Sequence, residues 1–233
     1  DIIALPENFS LMSETKHQRH DAAERVNDVE AMLSAAARDN NAVIIGGSTP
    51  LPAPDGRVTN TCLVFDDQGR RIGRYDKIHL FDVSVSSSES YSESRHIAPG
   101  TEPLAVDALG LTLGITICYD LRFPELYRRL AAAGAELFTI PSAFTVPTGR
   151  AHWHTLLRAR AIENLAWVVA PAQVGEHTSG RQTFGHSLII DPWGAIVAEC
   201  AGGPGVIFAQ LDRDNAAQRR QQFPALAHRV LDR

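Results

Sequence analysis

The feature that most constrains the fold is the alternation of short apolar runs with amphipathic helical stretches along the 233 residues. Apolar runs of about four to eight residues between turn residues are typical of buried strands, whereas apolar residues spaced at three and four indicate a helix. Strands that alternate with helices favour a layered α/β domain. Neither a linker-like composition nor an internal repeat divides the chain, which predicts a single domain over residues 1–233.

The pattern predicts a set of strands, hairpins and helices in chain order. Single strands are expected over 2–7, 42–47, 136–142, 167–174 and 205–212, and hairpins over 59–77, 104–118 and 186–200. Helices are expected over 20–40, 124–134, 151–164 and from 213 to about 223. The serine-rich segment 84–94 is predicted to be a polar loop that acts as a pocket lid.

Charge and cysteine content exclude several classes of protein. A net charge of −5 argues against binding to nucleic acid or to an anionic membrane surface. No apolar run approaches the roughly 20 residues that cross a bilayer. Three cysteines without CxxC spacing argue against a disulfide framework and favour a cytoplasmic location. The chain opens within a strand pattern at Asp1 and without an initiator Met, so the native N-terminus is expected to be missing.

Three chemically reactive side chains stand at or just after predicted strand ends, where ligands of layered α/β domains bind. These residues are Glu7, Lys77 and Cys118. A thiol needs a base or a positive field to become a thiolate. Glu7 can accept the thiol proton, and Lys77 can stabilise the thiolate and then an oxyanion. The backbone N–H of Tyr119 is a second candidate oxyanion donor.

Each of these residues taken alone also has a structural interpretation. A cysteine at a strand end is usually a small buried hydrophobe, and an isolated Glu or Lys is usually a solvated charge. The chain lacks a GxSxG elbow, a GxGxxG turn and a phosphate-binding P-loop. His152 and His154 face different directions on a helix, with no third ligand in an obvious register. The sequence therefore predicts neither a metal nor a cofactor.

Three motifs taken together give a stronger signal than any single residue. They are "LPENF" around Glu7, "YDKIHLFDV" around Lys77 and "GITICYDLRFPEL" around Cys118. In this order they resemble the nitrilase superfamily of carbon–nitrogen hydrolases, over essentially the whole chain. The resemblance implies a four-layer αββα sandwich and a Glu7-Lys77-Cys118 triad that attacks an amide or nitrile carbon through a thioester. It also implies that Glu93 orients the lysine, the amide and the water.

Within this superfamily the chain is most similar to amidases that act on deaminated glutathione, in stretches such as "GHSLIIDPWG". This implies a small-molecule amide as substrate, whose terminal carboxamide water converts to an acid and ammonia. An ω-amidase acting on α-ketoglutaramate, an N-carbamoyl amino acid hydrolase and a nitrilase remain alternatives. A thiol redox enzyme and a non-catalytic binding protein are alternatives of a different class. One departure is His154, where this branch usually has Glu. A second is that the strand and helix that the resemblance implies before Asp1 are expected to be missing.

Three residues are candidates for substrate binding. Arg122 either pairs with a substrate carboxylate or forms a salt bridge at the helix start with Glu125 or Asp120. By resemblance, Phe144 and Thr148 line the pocket. The resemblance also implies a homodimer or a larger homo-oligomer, with contacts through the helix at 151–164 and the tail after residue 213.

Overall fold

The first of the two main β-sheets contains the strands that lead to Glu7 and Lys77, two of the predicted catalytic residues. The computed structural model describes residues 1–13, 15–85, 89–178 and 180–231. The strands of this sheet are β1 Ile2–Ala4, β2 Val43–Ile45, β3 Thr49–Pro52, β4 Val58–Phe65 and β5 Arg71–Asp76. They follow the order β1-β2-β4-β3, with β5 paired to β4. Only β1 and β2 pair in parallel among these strands.

The second sheet is larger and mixed. Its strands are β8 Leu104–Ala108, β9 Leu111–Ile115, β10 Leu137–Thr139, β11 Trp167–Ala170, β14 Ser187–Ile190 and β15 Ile196–Cys200. Two short hairpins lie outside both sheets: β6 Asp82–Ser84 with β7 Ser90–Ser92, and β12 Val174–Glu176 with β13 Gln182–Phe184. The order in the larger sheet is β15-β14-β11-β10-β9-β8, and β9, β10 and β11 are parallel.

The side chains of β4 show how the two sheets pack. Successive residues of a strand point to opposite faces of its sheet. Cys62 and Val64 belong to the central cluster that also contains residues of the second sheet, such as Leu113 and Ile115. Leu63 belongs to a separate cluster on the outer face. The two sheets are therefore packed face to face over one apolar core.

Helices cover the outer faces. They are α1 Lys16–Glu24, α2 Val26–Asn40, α3 Pro124–Ala132, α4 Val146–Asn164 and α5 Arg213–Gln222. Leu33 and Ala37 of α2 pack against Leu63 of the first sheet. α3 and α4 lie on the second sheet, with Trp153 and Leu157 of α4 in the central cluster. The layers follow the order αββα, as the resemblance implied.

The single helix predicted over 20–40 is wrong in detail. α1 begins at Lys16, after Thr15 caps it by accepting a hydrogen bond from the N–H of Gln18. The helix breaks at Arg25, before α2 begins. Both halves lie on the first sheet but join different apolar clusters, because Ala23 packs with Val58 and Ile97, whereas Leu33 and Ala37 of α2 pack with Leu63.

The strand predicted over 205–212 is also wrong, since no ladder partner is found for it in the described part of the chain. The apolar residues of this segment are nevertheless partly packed. Ile207 and Leu211 pack against the central cluster, whereas Val206 is 78% exposed and Phe208 is 84% exposed. The segment is therefore an arm that packs partly on the core and exposes two large apolar side chains to water.

The predicted polar loop at 84–94 is replaced in part by ordered structure. The ends of this segment form the hairpin of β6 and β7, with Val83 opposite Tyr91, and Glu93 opens a 3₁₀ helix, Glu93–Arg95. Residues 86–88 of the predicted lid lie outside the described residues. The described part of the hairpin borders the cavity that contains the predicted catalytic residues.

Candidate active site

A cavity of ≈ 220 Å³ lies between the two sheets at the ends of their strands. Glu7 lies beyond β1 and Lys77 directly follows β5, so the first sheet contributes both. Cys118 lies beyond β9 of the second sheet and begins the 3₁₀ helix Cys118–Arg122. Glu93 and Tyr119 also line the cavity. The structure thus brings together the four predicted catalytic residues and the predicted oxyanion donor.

Lys77 is the centre of a buried ionic network. Its side chain is 2% exposed, and its Nζ lies 3.0 Å from Oε1 of Glu7. The same Nζ lies 3.1 Å and 3.0 Å from the two carboxylate oxygens of Glu93. A buried charge is tolerated when it is paired and hydrogen-bonded. The ammonium group is therefore held in a fixed position between two carboxylates.

Asn60 of β4 braces both carboxylates and was not predicted from the sequence. Its Nδ2 donates to Glu7 at 3.0 Å and to Glu93 at 3.5 Å. Its backbone carbonyl accepts from the N–H of Lys77 at 2.9 Å. The available signal was the polar "TNT" start of an otherwise apolar strand, since a polar side chain in a buried strand needs partners.

Glu93 is held in place by a third donor, in addition to Lys77 and Asn60. The backbone N–H of Phe81 donates to its Oε2 at 2.7 Å. Glu89, the other glutamate of this segment, instead accepts a hydrogen bond from the hydroxyl of Tyr91. Glu93, rather than Glu89, therefore belongs to the network around Lys77.

The backbone of Cys118 has an uncommon conformation. Its φ is +50°, in the left-handed region that costs a residue with a side chain about 1–2 kcal/mol. The N–H of Cys118 donates to the carbonyl of Pro141 at 2.9 Å, which holds this conformation. Strained backbone of this kind concentrates at functional sites. The strain sets the direction in which the thiol enters the cavity.

Asp120 is the second residue that sequence reasoning missed. It is fully buried and accepts hydrogen bonds from the hydroxyl of Tyr75 and the N–H of Ile117, at 2.7 Å and 2.9 Å. It also accepts from the N–H of His79 and contacts the ring of that residue, which stacks on Phe123. This carboxylate joins the loop of Cys118 to the strand that leads to Lys77.

Burial and charge set the protonation of the three central groups. Burial would raise the pKa of Glu7, but the charge of Lys77 and hydrogen bonds with Cys118 and Lys77 together hold it below its ordinary value. Burial lowers the pKa of Lys77, and the two carboxylates more than reverse that effect. Burial and the charge of Glu7 raise the pKa of Cys118. The resting site holds a carboxylate, an ammonium and a neutral thiol.

The backbone N–H of Tyr119 has no hydrogen-bond acceptor among the described residues. It is the second residue of a 3₁₀ helix, where an N–H lacks an intrahelical partner. The ring of Tyr119 packs edge-on against Phe81 and Phe123, which fixes this part of the wall. An oxygen that develops negative charge beside Cys118 can accept this hydrogen bond.

The predicted substrate-binding residues divide into two groups. Phe144 and Thr148 line the cavity. Arg122 is not part of the described lining: its guanidinium contacts Nδ1 of His152 at 3.3 Å and lies over the rings of Tyr119 and Phe144. The salt bridges considered for Arg122 at the helix start are not formed among the described contacts.

Two other arginines enter the cavity and were not predicted. Arg19 comes from α1, and Arg181 comes from the turn between β12 and β13. Arg181 donates to the carbonyl of Ala143 and lies over the ring of Tyr91. With Lys77, the lining holds three cationic side chains and two carboxylates. The field in the cavity therefore suits an anion.

Comparison with known proteins assigns the class to which this site belongs. The family model described as carbon-nitrogen hydrolase matches residues 1–221, and the chain belongs to that family. The deaminated glutathione amidase of Synechocystis sp. is 41% identical, over 99% of this chain and 86% of that protein. The protein is accordingly an amidase of the nitrilase superfamily.

Solved structures agree with this assignment. The NitFhit protein of C. elegans matches with a TM-score of 0.92 at 39% identity, over 98% of this chain and 57% of that one. A mutant amidase from Nesterenkonia sp. AN1 matches with a TM-score of 0.75 at 27% identity, over 95% of this chain and 84% of that one. In that structure acrylamide has added to the active-site cysteine. Among the described residues of the present chain, none of the helices has the length and apolarity to cross a membrane.

Proposed function

We propose that Cys118 is the nucleophile, Glu7 the general base and Lys77 the oxyanion-stabilising cation of an amidase reaction. The observation that supports this proposal is the contact of one buried ammonium with two carboxylates in the cavity that Cys118 also lines. Because the thiol is neutral at rest, Glu7 takes its proton as the sulfur attacks rather than beforehand. Glu7 and Cys118 line the same cavity and lie close enough to change each other's pKa, which allows this proton transfer.

The first half of the reaction forms a thioester. The Cys118 sulfur bonds to the amide carbon while its proton moves to Glu7. The carbonyl oxygen becomes an oxyanion, which the Lys77 ammonium and the Tyr119 N–H stabilise. The intermediate then collapses, the carbon–nitrogen bond breaks, and the proton on Glu7 goes to the leaving nitrogen. Ammonia and a thioester on Cys118 result.

The second half consumes water. Glu7, ionised again, accepts a proton from a water molecule that attacks the thioester carbon. The carbon–sulfur bond breaks, and the thiolate of Cys118 recovers a proton from Glu7. The acid product leaves. Glu93 holds Lys77 throughout, and its remaining oxygen lone pairs orient the incoming amide and the water.

For the substrate we propose a small anionic amide of the α-keto acid type, such as deaminated glutathione, to which the Synechocystis relative's name refers. The excess of cationic side chains in the cavity supports an anion. Arg181 and Arg19 are the guanidinium groups of the lining that can pair with a carboxylate. Phe144 and Thr148 form the wall beside them. Arg122 lies over the ring of Phe144 outside the lining and therefore influences the substrate only indirectly.

The experiment is a screen of ammonia release. Deaminated glutathione, α-ketoglutaramate, butyramide, an N-carbamoyl amino acid and a nitrile are offered at equal concentration, and carbon dioxide is measured in parallel. The highest kcat/KM is expected for deaminated glutathione. A preference for α-ketoglutaramate would assign the ω-amidase activity, and carbon dioxide release would assign the carbamoyl hydrolase. Activity on the nitrile alone would contradict the amide substrate.

The role of the cavity arginines has its own test. Arg181→Ala is expected to lower kcat/KM for the anionic amides by about 10–100-fold, because a charged hydrogen bond is lost. The same change should leave kcat/KM for neutral butyramide within about threefold. An equal loss for both substrates would mean that Arg181 only supports the wall.

A thiol redox activity is separated from hydrolysis by Glu7→Gln. If the protein is a hydrolase, this variant loses amide hydrolysis because the base is gone. A peroxide-consuming activity that persists at the wild-type rate in the same variant, together with no ammonia release by the wild type, would favour the redox alternative.

We also propose that the protein works as a homodimer or larger homo-oligomer in the cytoplasm. The exposed arm at 205–212 is apolar enough to support self-association. All three cysteines are free thiols, which fits a reducing compartment.

A further inference from the structure

A cluster of two histidines and a glutamate lies away from the catalytic network. His154 belongs to α4, His186 precedes β14, and Glu199 belongs to β15. Oε1 of Glu199 lies 2.9 Å from Nε2 of His154 and 2.7 Å from Nδ1 of His186. One ligand atom of each side chain lies within 4.8 Å of the other two. Three separate elements therefore converge on one point.

Neighbouring groups hold the cluster in position. The ring of His186 stacks on Phe184, with centroids 4.2 Å apart and planes 20° apart. Its backbone has a φ of +56°, and its carbonyl accepts from Nε1 of Trp153 at 2.8 Å. Glu199 is in register with Leu188 across the β14–β15 pair. Each of these contacts restricts a candidate ligand without using its coordinating atom.

The spacing suits a metal ion with little rearrangement. A tetrahedral ion with bonds of about 2.0–2.2 Å separates its ligand atoms by about 3.3–3.5 Å. Oε1 of Glu199 is closer than that to both imidazole nitrogens, so the two N–O distances must each increase by about half an ångström to accommodate the ion. The side chains of His154, His186 and Glu199 are 35%, 25% and 28% exposed, which leaves a coordination position open to water.

We propose that His154, His186 and Glu199 form a binding site for a divalent transition-metal ion of the zinc type. Two imidazoles and one carboxylate are a ligand set that such ions accept. On binding, each imidazole coordinates through the nitrogen that now faces Glu199 and carries its proton on the other nitrogen. The ion ties α4 to the β14–β15 pair. The proposal revises the expectation of no metal that followed from the sequence.

The site is independent of the proposed reaction but lies behind the wall of the catalytic cavity. The N–H of Phe184, on which His186 stacks, donates to the carbonyl of Phe144 at 2.9 Å. Phe144 lines the cavity. The metal therefore has a structural role in this proposal, and its test does not use enzyme activity.

The test is a zinc titration of the full chain in a Cys118→Ala background, so that the active-site thiol cannot bind the ion. Calorimetry and elemental analysis are expected to give one equivalent of Zn²⁺. Zinc at about 100 times Kd should raise Tm by about 5–10 °C. His154→Ala and Glu199→Gln should each weaken binding at least tenfold. His152→Ala, on the same helix, and Cys200→Ser, beside Glu199, should bind as the parent does.

Glu199→Gln keeps a hydrogen-bond acceptor of the same shape. If this variant loses zinc binding while its Tm in the absence of metal is unchanged, the result supports the site. Weak binding, with Kd above about 100 μM, or binding that persists in both ligand variants would overturn the proposal. A lower Tm in both variants with no zinc effect in the parent would also overturn it, since the cluster would then be only a hydrogen-bonded triad.

Discussion

The three cysteines differ in their neighbours more than in their exposure. Cys62 is fully buried in the core, where desolvation raises the pKa of its thiol to about 12. Cys118 is nearly as buried, yet it lies beside a carboxylate and an ammonium. Cys200 is partly exposed and contacts the carbonyl of Gly203. Only Cys118 therefore has both a base to accept its proton and a cation to stabilise the charge that follows.

Replacing Cys118 by Ser or Ala is expected to reduce ammonia release to the limit of detection. Both residues fit the space of the thiol, so the fold should persist, as circular dichroism and Tm would show. Cys200→Ser serves as the matched control and should keep wild-type kcat. Hydrolysis by the Ala variant above about 1% of wild type would contradict the covalent mechanism.

The lowered pKa of Glu7 predicts how activity depends on pH. The base must be ionised, so the acidic limb of kcat/KM is expected below pH 4.5, the ordinary value for a glutamate. Because the pKa of Lys77 is raised, deprotonation of that residue should not set an alkaline limb below pH 10. An alkaline limb of the kcat/KM profile near neutral pH, shifted when Lys77 is substituted, would contradict this assignment.

The same shift predicts how stability depends on pH. A carboxylate with a lower pKa in the folded state stabilises the protein above its unfolded pKa, and this contribution is lost as pH falls through the folded pKa. Glu7→Gln should therefore flatten the acid side of a plot of Tm against pH. An acid profile unchanged in this variant would mean that other carboxylates dominate acid unfolding.

At the scale of elements, the turn after β2 positions the catalytic base. Gly47 has a φ of +51°, and a Cβ at this position would lie 2.1 Å from the carbonyl oxygen of Pro6. Pro6 immediately precedes Glu7, so this close approach of two backbone segments fixes the base relative to the first sheet. Only a residue without a side chain fits there.

Gly47→Ala is expected to lower both stability and kcat, because the loop that carries Glu7 must move. Gly56→Ala is the matched control, since Gly56 also has a positive φ, of +78°, but a Cβ there would meet no atom within 4 Å. The control should lose only about 1–2 kcal/mol of unfolding free energy from backbone strain and keep its kcat. Equal losses in both variants would show that strain, not the contact with Pro6, is responsible.

At the scale of the whole molecule, the apolar surface is concentrated towards the C-terminal part of the chain. Val206 and Phe208 of the arm are mostly exposed, and Phe223 packs edge-on against the half-exposed Trp193. Ile162 of α4 is also exposed. Isolated exposed hydrophobic residues are common in monomers, whereas contiguous apolar patches mark sites of association, so this arm is the candidate contact surface for the proposed assembly.

Replacing Val206 and Phe208 together by Ser is expected to shift the protein from an oligomer to a monomer. Light scattering coupled to gel filtration measures the mass directly, at several protein concentrations. The catalytic residues lie elsewhere, so a monomer that keeps its fold would show whether assembly is needed for activity. An unchanged mass would place the contacts on another face, and a monomeric wild type would contradict the proposed assembly.

Sequence patterns predicted most of the elements, and the three motifs pointed to the cavity that Glu7, Lys77 and Cys118 line. Other residues at this site were missed: Asn60, Asp120, Arg19 and Arg181. The βαβ elements around α3 and α4 agree with the local spacing of apolar residues, as do the three main hairpins. The break at Arg25 and the unpaired arm at 205–212 were missed. In both cases the local pattern was that of a regular element. The helix breaks where its two halves join different apolar clusters, and the arm pairs with no strand among the described residues.

The sequence by itself determined the layered class and the motifs, because alternation of apolar residues and the chemical character of short segments are local properties. Tertiary structure alone decided which groups meet. Lys77 and Glu7 are 70 positions apart, Asn60 reaches both carboxylates from the middle of a strand, and Arg181 enters the cavity from a distant turn. The cluster of His154, His186 and Glu199 joins three elements in the same way. Such contacts depend on how sheets and helices pack, and no local spacing encodes that.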